Sequence, residues 1–418
     1  MEGFQAGRRK LLGAAAGWTA LTATAAPLTL PSGGIDWETV AQSYDVATDF
    51  TNLENAYYGI MPRALLEEFK RNMDYLNRYN SHHLRQQFDR AGMEQLRVQL
   101  AAHAGVAPEE LAITRGATES LQNLICNYKL LKHGDGVMYA NLDYDAMKYA
   151  MNDVAQRHGA TVTQVLLPDQ LTRQLAIESY DKALREHPRT RLLLLTHINH
   201  RTGFVLPVAD IVNIAKARGV DVIADVAQSW GLLDFKLPDL GADFVGANLH
   251  KWVGGPLGTG FLYIRKERLA DIGVERGDED YPASDIRSRV HSGTVNVAAL
   301  MTIPATLKLH EEIGLVNRGN RLGGLRDHWV HQLRGDQRVQ IMTPDEAGSY
   351  GAVTSFRLTG RTSFEQNVAL AKRLLEQYRI FTVARPGPAG GACIRVTPSL
   401  FTRTADLDKL VAAIRAIA

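Results

Sequence analysis

From residue 136 to residue 264 the chain alternates short apolar runs with stretches of helical periodicity, and that alternation limits the possible folds more than any other feature. The runs occupy residues 136–139, 162–167, 192–196, 220–224, 244–245 and 261–264, with helical stretches between most of them. Strands this short and this apolar have to be buried on both faces. A helix between consecutive strands carries the chain back so that they pair in parallel. The expected architecture is α/β, a mostly parallel central sheet with helices on both faces. Ligands in such sheets collect at the carboxyl ends of the strands.

The flanks fit the same class. After Pro62, a good first helical residue, residues 63–79 and then 84–104 show helical periodicity. A second α/β unit is predicted to begin with a helix over 296–312. It continues with strand-like segments at 339–342 and 353–358, a helix over 364–378, strands near Ile380 and Ile394, and a last helix from Ala405. A chain of this length is more than one core usually supports. The predicted division is a leader over residues 1–25, a large domain over 26–295 and a smaller one over 296–418, with no internal repeat.

Two polar residues stand where the apolar runs end. Residues 220–224 run into Asp225, in Ala224-Asp225-Val226-Ala227-Gln228. Lys251 follows 26 positions later, in Gly246-Ala247-Asn248-Leu249-His250-Lys251-Trp252. Alone, the lysine reads as a solvated loop residue and the aspartate as a helix cap. Together they are what an enzyme using pyridoxal phosphate requires: a lysine to hold the aldehyde as a Schiff base, and an acid to keep the pyridine nitrogen protonated.

With Asn248-Leu249-His250-Lys251-Trp252 in this setting, the chain resembles the class V aminotransferase family of fold-type I pyridoxal-phosphate enzymes, and within it the isopenicillin N epimerase-like branch. The resemblance runs from about Asp49 to the C-terminus by motif order. Cysteine desulfurases and kynureninases share the scaffold, so it does not by itself name a reaction.

Thr114-Arg115-Gly116-Ala117-Thr118-Glu119-Ser120 is the expected phosphate site. Gly116 lets the backbone approach an anion, and Ala117 and Thr118 open a helix predicted to run to Leu131, whose positive end favours negative charge. A plain capping box is the alternative explanation. The resemblance implies the cofactor reading, adds His250 as a phosphate neighbour, and brings Thr294, in His291-Ser292-Gly293-Thr294, to the phosphate from a partner subunit, which implies a homodimer. It also puts Tyr144 over the cofactor's face. Asn199 or His200, in Thr196-His197-Ile198-Asn199-His200-Arg201, is expected near the ring's phenolic oxygen, with Gln228 a further candidate. His197 and His200 have the spacing of a metal pair, but no nearby Cys or Glu completes a ligand set, so no metal is expected. Arg395, in Ile394-Arg395-Val396-Thr397-Pro398, matches the family's carboxylate-binding arginine, and Asn55 is a further candidate for the same pocket.

The N-terminus carries a different message. Gly7-Arg8-Arg9-Lys10 precedes a short, weakly apolar Ala/Thr-rich stretch, and Ala23-Thr24-Ala25 offers a small-x-small cleavage site. This reads as a twin-arginine (Tat) export signal, recognised by the Tat machinery and too short to anchor the chain in a bilayer. Export in the folded state suits an enzyme that acquires its cofactor first, and places the mature protein in the periplasm or outside the cell. The whole chain has 47 Lys and Arg against 45 Asp and Glu; loss of Glu2, Arg8, Arg9 and Lys10 leaves 44 of each. A neutral surface argues against nucleic acid as a partner. Cys126 and Cys393, the two cysteines, are predicted to be free, buried thiols. Neither sits on the mobile loop from which a desulfurase cysteine attacks.

The expected reaction is at the α-carbon of an amino acid, or of an amino-acid moiety in an exported peptide, with Lys251 as proton carrier in an aminotransferase or epimerase. A C–S or C–C lyase is the alternative within this chemistry. Outside it, the alternative is a secreted binding protein on the same scaffold without catalysis.

Overall fold

The computed structural model describes residues 34–418; the predicted export signal and its cleavage site lie outside them. After a short helix, Trp37–Gln42, strand β1 (Thr51–Asn52) begins a segment that leads into the long helix Arg63–His83. A wide, π-helical stretch, Leu84–Gly92, joins that helix to Met93–Ala104.

Seven strands form the main sheet: β2 (Leu111–Thr114), β3 (Gly136–Ala140), β4 (Thr161–Val165), β5 (Thr190–Thr196), β6 (Asp221–Asp225), β7 (Phe244–Asn248) and β8 (Gly260–Ile264). Their order is β2-β8-β7-β6-β5-β3-β4. The five strands from β7 to β4 pair in parallel, and β8 runs against both of its neighbours. The mostly parallel sheet read from the sequence is therefore present. The β5 sequence shows why. Successive side chains point to opposite faces; Leu193 and Leu195 enter one core cluster and Leu192 and Leu194 another, and all four are fully buried. Helices such as Asp145–His158, Arg173–Glu186 and Val208–Lys216 carry the chain between strands. Edge strand β4 is more open, with its apolar Val162 exposed.

A second sheet, antiparallel throughout, has the order β12-β13-β10-β9, from β9 (Val339–Ile341), β10 (Thr354–Leu358), β12 (Val383–Arg385) and β13 (Cys393–Val396). Beside it, β11 (Ile380–Phe381) pairs in parallel with β1. The helices Phe364–Tyr378 and Thr404–Ile417 pack on this sheet, as read from the sequence. The helix Leu315–Leu333 was not anticipated. It contains Gly319, Gly323 and Gly324, which weaken helix propensity, and is held by the buried residues Leu322, Leu325, Trp329, Val330 and Leu333.

One further boundary differs. The helix that opens at Ala117 ends at Cys126 and does not reach Leu131. Asn127 leaves it to bond Glu275 at 2.6 Å, and Tyr128 forms a bridge with Ile272, so tertiary contacts take over the backbone.

Candidate active site

The segment after β1 does more than enter the fold. Leu53 and Asn55 bond across to Thr397, 2.8 Å from Thr397 N to Leu53 O and 2.8 Å from Asn55 Nδ2 to Thr397 O. The chain then crosses to the main sheet, where Gly59 N donates to His250 O at 2.8 Å. A Cβ on Gly59 would stand 2.4 Å from Lys251 O, so only glycine allows this approach. Between these anchors Tyr57 and Tyr58, both exposed, pack with ring centroids 5.7 Å apart. They border a cavity of about 700 Å³ at the carboxyl ends of the strands.

Asp225 ends β6 inside this cavity, buried, with its Oδ1 accepting from Ala227 N at 2.8 Å. Burial pushes its pKa up; the Ala227 amide and the nearby Lys251 charge oppose that shift. Lys251 lies in the loop after β7. Burial lowers its pKa to about 8, against the pull of Asp225, with the Arg395 and Arg385 charges adding to the fall. Its amine can therefore shed a proton near neutral pH. Gln228 ties the two loops together. Its Oε1 accepts from Trp252 Nε1 at 2.9 Å, and its Nε2 donates to Ala56 O at 2.9 Å.

The Gly116 turn forms the opposite wall. Ala117 N donates to Asn248 Oδ1 at 2.7 Å, which links the helix N-terminus to the strand that carries Lys251. A Cβ at Gly116 would lie 2.9 Å from Asn248 Oδ1 and 3.3 Å from His250 Cε1, so only glycine lets these two side chains come this close to the turn. Thr118 is exposed to the cavity. His250 Nδ1 donates to Thr259 O at 3.1 Å, and burial lowers its pKa to about 4, so the ring is neutral.

At the far end, Tyr144 stands edge-on to His200, centroids 5.4 Å apart at 89°. His200 Nε2 accepts from Arg201 Nε at 3.2 Å, which leaves the proton on Nδ1. That Nδ1 is buried and without a partner among the described residues. Asn199, the other candidate for the phenolic oxygen, is already used: its Oδ1 accepts from Arg201 N and Thr202 N, both at 2.9 Å, and its Nδ2 donates to Leu142 O at 2.7 Å. It holds the turn, and His200 reaches the cavity.

Two placements, Arg395 and Asn55, differ from the sequence reading. Arg395 borders the cavity, yet its fork is closed: Nε and Nη2 both bond the Glu54 carboxylate, and Nη1 donates to His200 O at 2.8 Å. Asn55, buried against Thr397, pins the N-terminal segment and does not line the cavity. Thr294 is exposed and outside the cavity of its own chain. Sequence reasoning missed Glu54, Asn248 as a partner of Ala117, and Arg385. Only Asn248 carried a signal, its place in Asn248-Leu249-His250-Lys251-Trp252.

Both thiols are free. Burial raises the pKa of Cys393 to about 11 and raises that of Cys126 too, so neither is poised as a thiolate. Among the described residues no group of three or more His, Cys, Asp or Glu is placed to hold a metal ion, and no helix is long and apolar enough to cross a membrane.

The residues present suit a flat aromatic aldehyde that carries a phosphate. An amine and a carboxylate line the same cavity, a ten-residue helix opens on it at Gly116 with its N-terminus, and a buried imidazole N–H has no acceptor among the described residues. The aminotransferase class-V family model matches residues 61–411. Isopenicillin N epimerase from Streptomyces clavuligerus is 26% identical over 398 residues, covering 91% of this chain and 98% of that protein. Among solved structures, the apo cysteine desulfurase from Thermococcus onnurineus NA1 superposes with a TM-score of 0.76 at 19% identity, over 91% of this chain and 97% of the other. A C-DES mutant with glycine covalently linked to its PLP cofactor gives 0.75 at 23% identity, over 88% and 96%. The fold is thus that of fold-type I pyridoxal-phosphate enzymes.

Proposed function

This chain belongs to the aminotransferase class-V family, and on that premise we propose that it acts at the α-carbon of an amino acid, or of an amino-acid moiety in an exported peptide, as an aminotransferase or epimerase. Its cofactor is pyridoxal phosphate, whose ring, when bound, draws in the electron pair of the α-carbon bond that breaks. The observation that carries the reading is Lys251, an amine with a pKa of about 8 in the same cavity as the buried Asp225.

Each part of the cavity then has a task. Gly116 and Thr118 would receive the phosphate at the helix N-terminus, with neutral His250 alongside. Asp225 would face the ring nitrogen and keep it protonated. His200 Nδ1 would donate to the phenolic oxygen, and Tyr144 would pack against the ring. Lys251 would hold the aldehyde, and its amine, with a pKa of about 8, can take a proton from the substrate's α-carbon and return it. Thr294 completes the phosphate site from the second subunit of a homodimer.

The likeness to an epimerase over nearly the whole chain supports proton return to the α-carbon. A second reading, elimination by a C–S lyase, draws on the cysteine desulfurases among the relatives. Sulfur transfer onto the protein fits poorly, because both thiols are protonated.

Turnover of candidate amino acids and peptides in deuterated water, followed by mass spectrometry with and without a 2-oxo acid, tests this. Uptake of one deuterium at the α-carbon of the recovered or inverted amino acid is expected. Inversion that needs no 2-oxo acid identifies an epimerase, and amine loss that depends on one identifies an aminotransferase. Products that have lost a β-substituent, with no exchange in recovered substrate, overturn the proposal in favour of the lyase.

We also propose periplasmic export through the Tat pathway. Arg8→Lys together with Arg9→Lys should leave the precursor folded, cofactor-bound and in the cytoplasm, since the receptor reads the arginine pair and the core does not use it. Fractionation and immunoblotting check this; unchanged periplasmic recovery would refute it.

A further inference from the structure

The end of the cavity near Tyr144 gathers three guanidinium groups, and two of them are neutralised within the protein. Arg201 Nη2 donates to both oxygens of Asp145 at 2.8 Å. Arg395 closes its fork on Glu54, with both side chains buried. Arg385 has no such acid. Its nearest carboxylate is that same Glu54, 4.0 Å away and already engaged. Its Nε is buried without a hydrogen-bond partner among the described residues.

The register explains the crowding. Arg385 pairs with Cys393 and Val383 with Arg395 across β12 and β13, so the two arginines are diagonal neighbours on one sheet face, within reach of each other. Burial, with Arg395 and Arg201 nearby, lowers the pKa of Arg385 to about 10, as expected for a cation short of a counter-ion. Elsewhere around the cavity Arg115 has Glu119 at 2.9 Å, and Lys251 has Asp225. Among the guanidinium groups at this end, Arg385 is the one without an acid of its own, on a planar fork that borders the cavity.

Resting on the amino-acid reading above, we propose that Arg385 is the residue that receives the substrate's carboxylate, and that Arg395, held by Glu54, is a positioning residue beside it. A guanidinium takes a carboxylate through two parallel hydrogen bonds, which would give Arg385 a counter-ion and satisfy its buried Nε. The fixed fork would then set which α-carbon bond faces Lys251. The substrate class is narrowed to amino acids and peptides with a free carboxylate beside the reacting amine. Amines and amidated termini are excluded, because they would leave Arg385 buried without an anion.

The test uses cofactor-loaded enzyme, with glutarate and neutral glutaramide as probes in titration calorimetry. Wild type should bind glutarate. Arg385→Gln should bind it about tenfold or more weakly, and Arg385→Lys should fall between, as a charge without the fork. Arg115→Gln, which removes the same charge elsewhere on the cavity wall, should change glutarate affinity by less than about twofold, within the range of an exposed charge. Glutaramide binding should not distinguish the variants, and each should keep the visible band of the loaded enzyme. Equal glutarate affinity in wild type and Arg385→Gln would overturn the proposal, as would equal losses in Arg385→Gln and Arg115→Gln, which would signify a general field. Absence of the visible band in wild type would strike the cofactor reading instead and is scored separately.

Discussion

Lys251→Ala should abolish the visible band of the loaded enzyme and lower turnover on the order of ten-thousandfold or more, the upper range for loss of a placed proton carrier. Two functions vanish together. The side chain is the amine in the cavity that can hold an aldehyde, and its burial, which lowers its pKa to about 8, also lets it act as a base near neutral pH. No other lysine borders the cavity among the described residues. Removing the cation also leaves Asp225 without the charge that opposes its upward pKa shift, so that carboxyl group moves further toward its neutral form. Absorption spectra and single-turnover assays, with circular dichroism to show an intact fold, check the result. Normal turnover in this variant would refute the site assignment.

The main sheet was legible because its strands are buried on both faces, so that each appears as an unbroken apolar run such as residues 192–195. The helix Leu315–Leu333 was not legible. Three glycines dilute its helical signal, and what holds it is packing against the second sheet, which local sequence does not display. The same holds for the segment that starts at β1. Thr51 and Asn52 find their partners at Ile380 and Phe381, more than 300 positions away.

Asp225 and Lys251 were legible because Asp225 ends one apolar strand and Lys251 follows three residues after another, and in a parallel sheet those ends share one rim. Glu54 and Arg385 were not. The Glu54–Arg395 pair joins residues 341 positions apart, and no periodicity marks either partner. Reading Arg395 alone gave an open fork; the buried acid closes it. An arginine's role depends on which acid reaches it first, and that is a property of the tertiary fold.

Asp225→Asn should keep the visible band, because Lys251 is untouched, yet lose turnover by about a hundredfold or more. Burial raises the pKa of Asp225, while Ala227 N and the positive charge of Lys251 favour its ionised form. On the proposed role, an ionised acid there would hold the ring nitrogen protonated and so make the ring a strong electron sink; an amide cannot carry that charge. Removing one partner of a buried charged pair commonly costs about 3–5 kcal/mol. Even if only the lower part of that range is felt in the transition state, the rate falls by about two powers of ten. The loss should appear in kcat and in kcat/KM alike, since the interaction strengthens as the α-carbon bond breaks and contributes little to substrate binding. Arg385→Gln should differ in kind, raising KM for carboxylate-bearing substrates with a smaller effect on kcat. Deuterium exchange at the α-carbon should slow in Asp225→Asn as much as turnover does, because both pass through the same proton removal. If the asparagine variant exchanges and turns over like wild type, another group protonates the nitrogen, and the role given to Asp225 has to be abandoned.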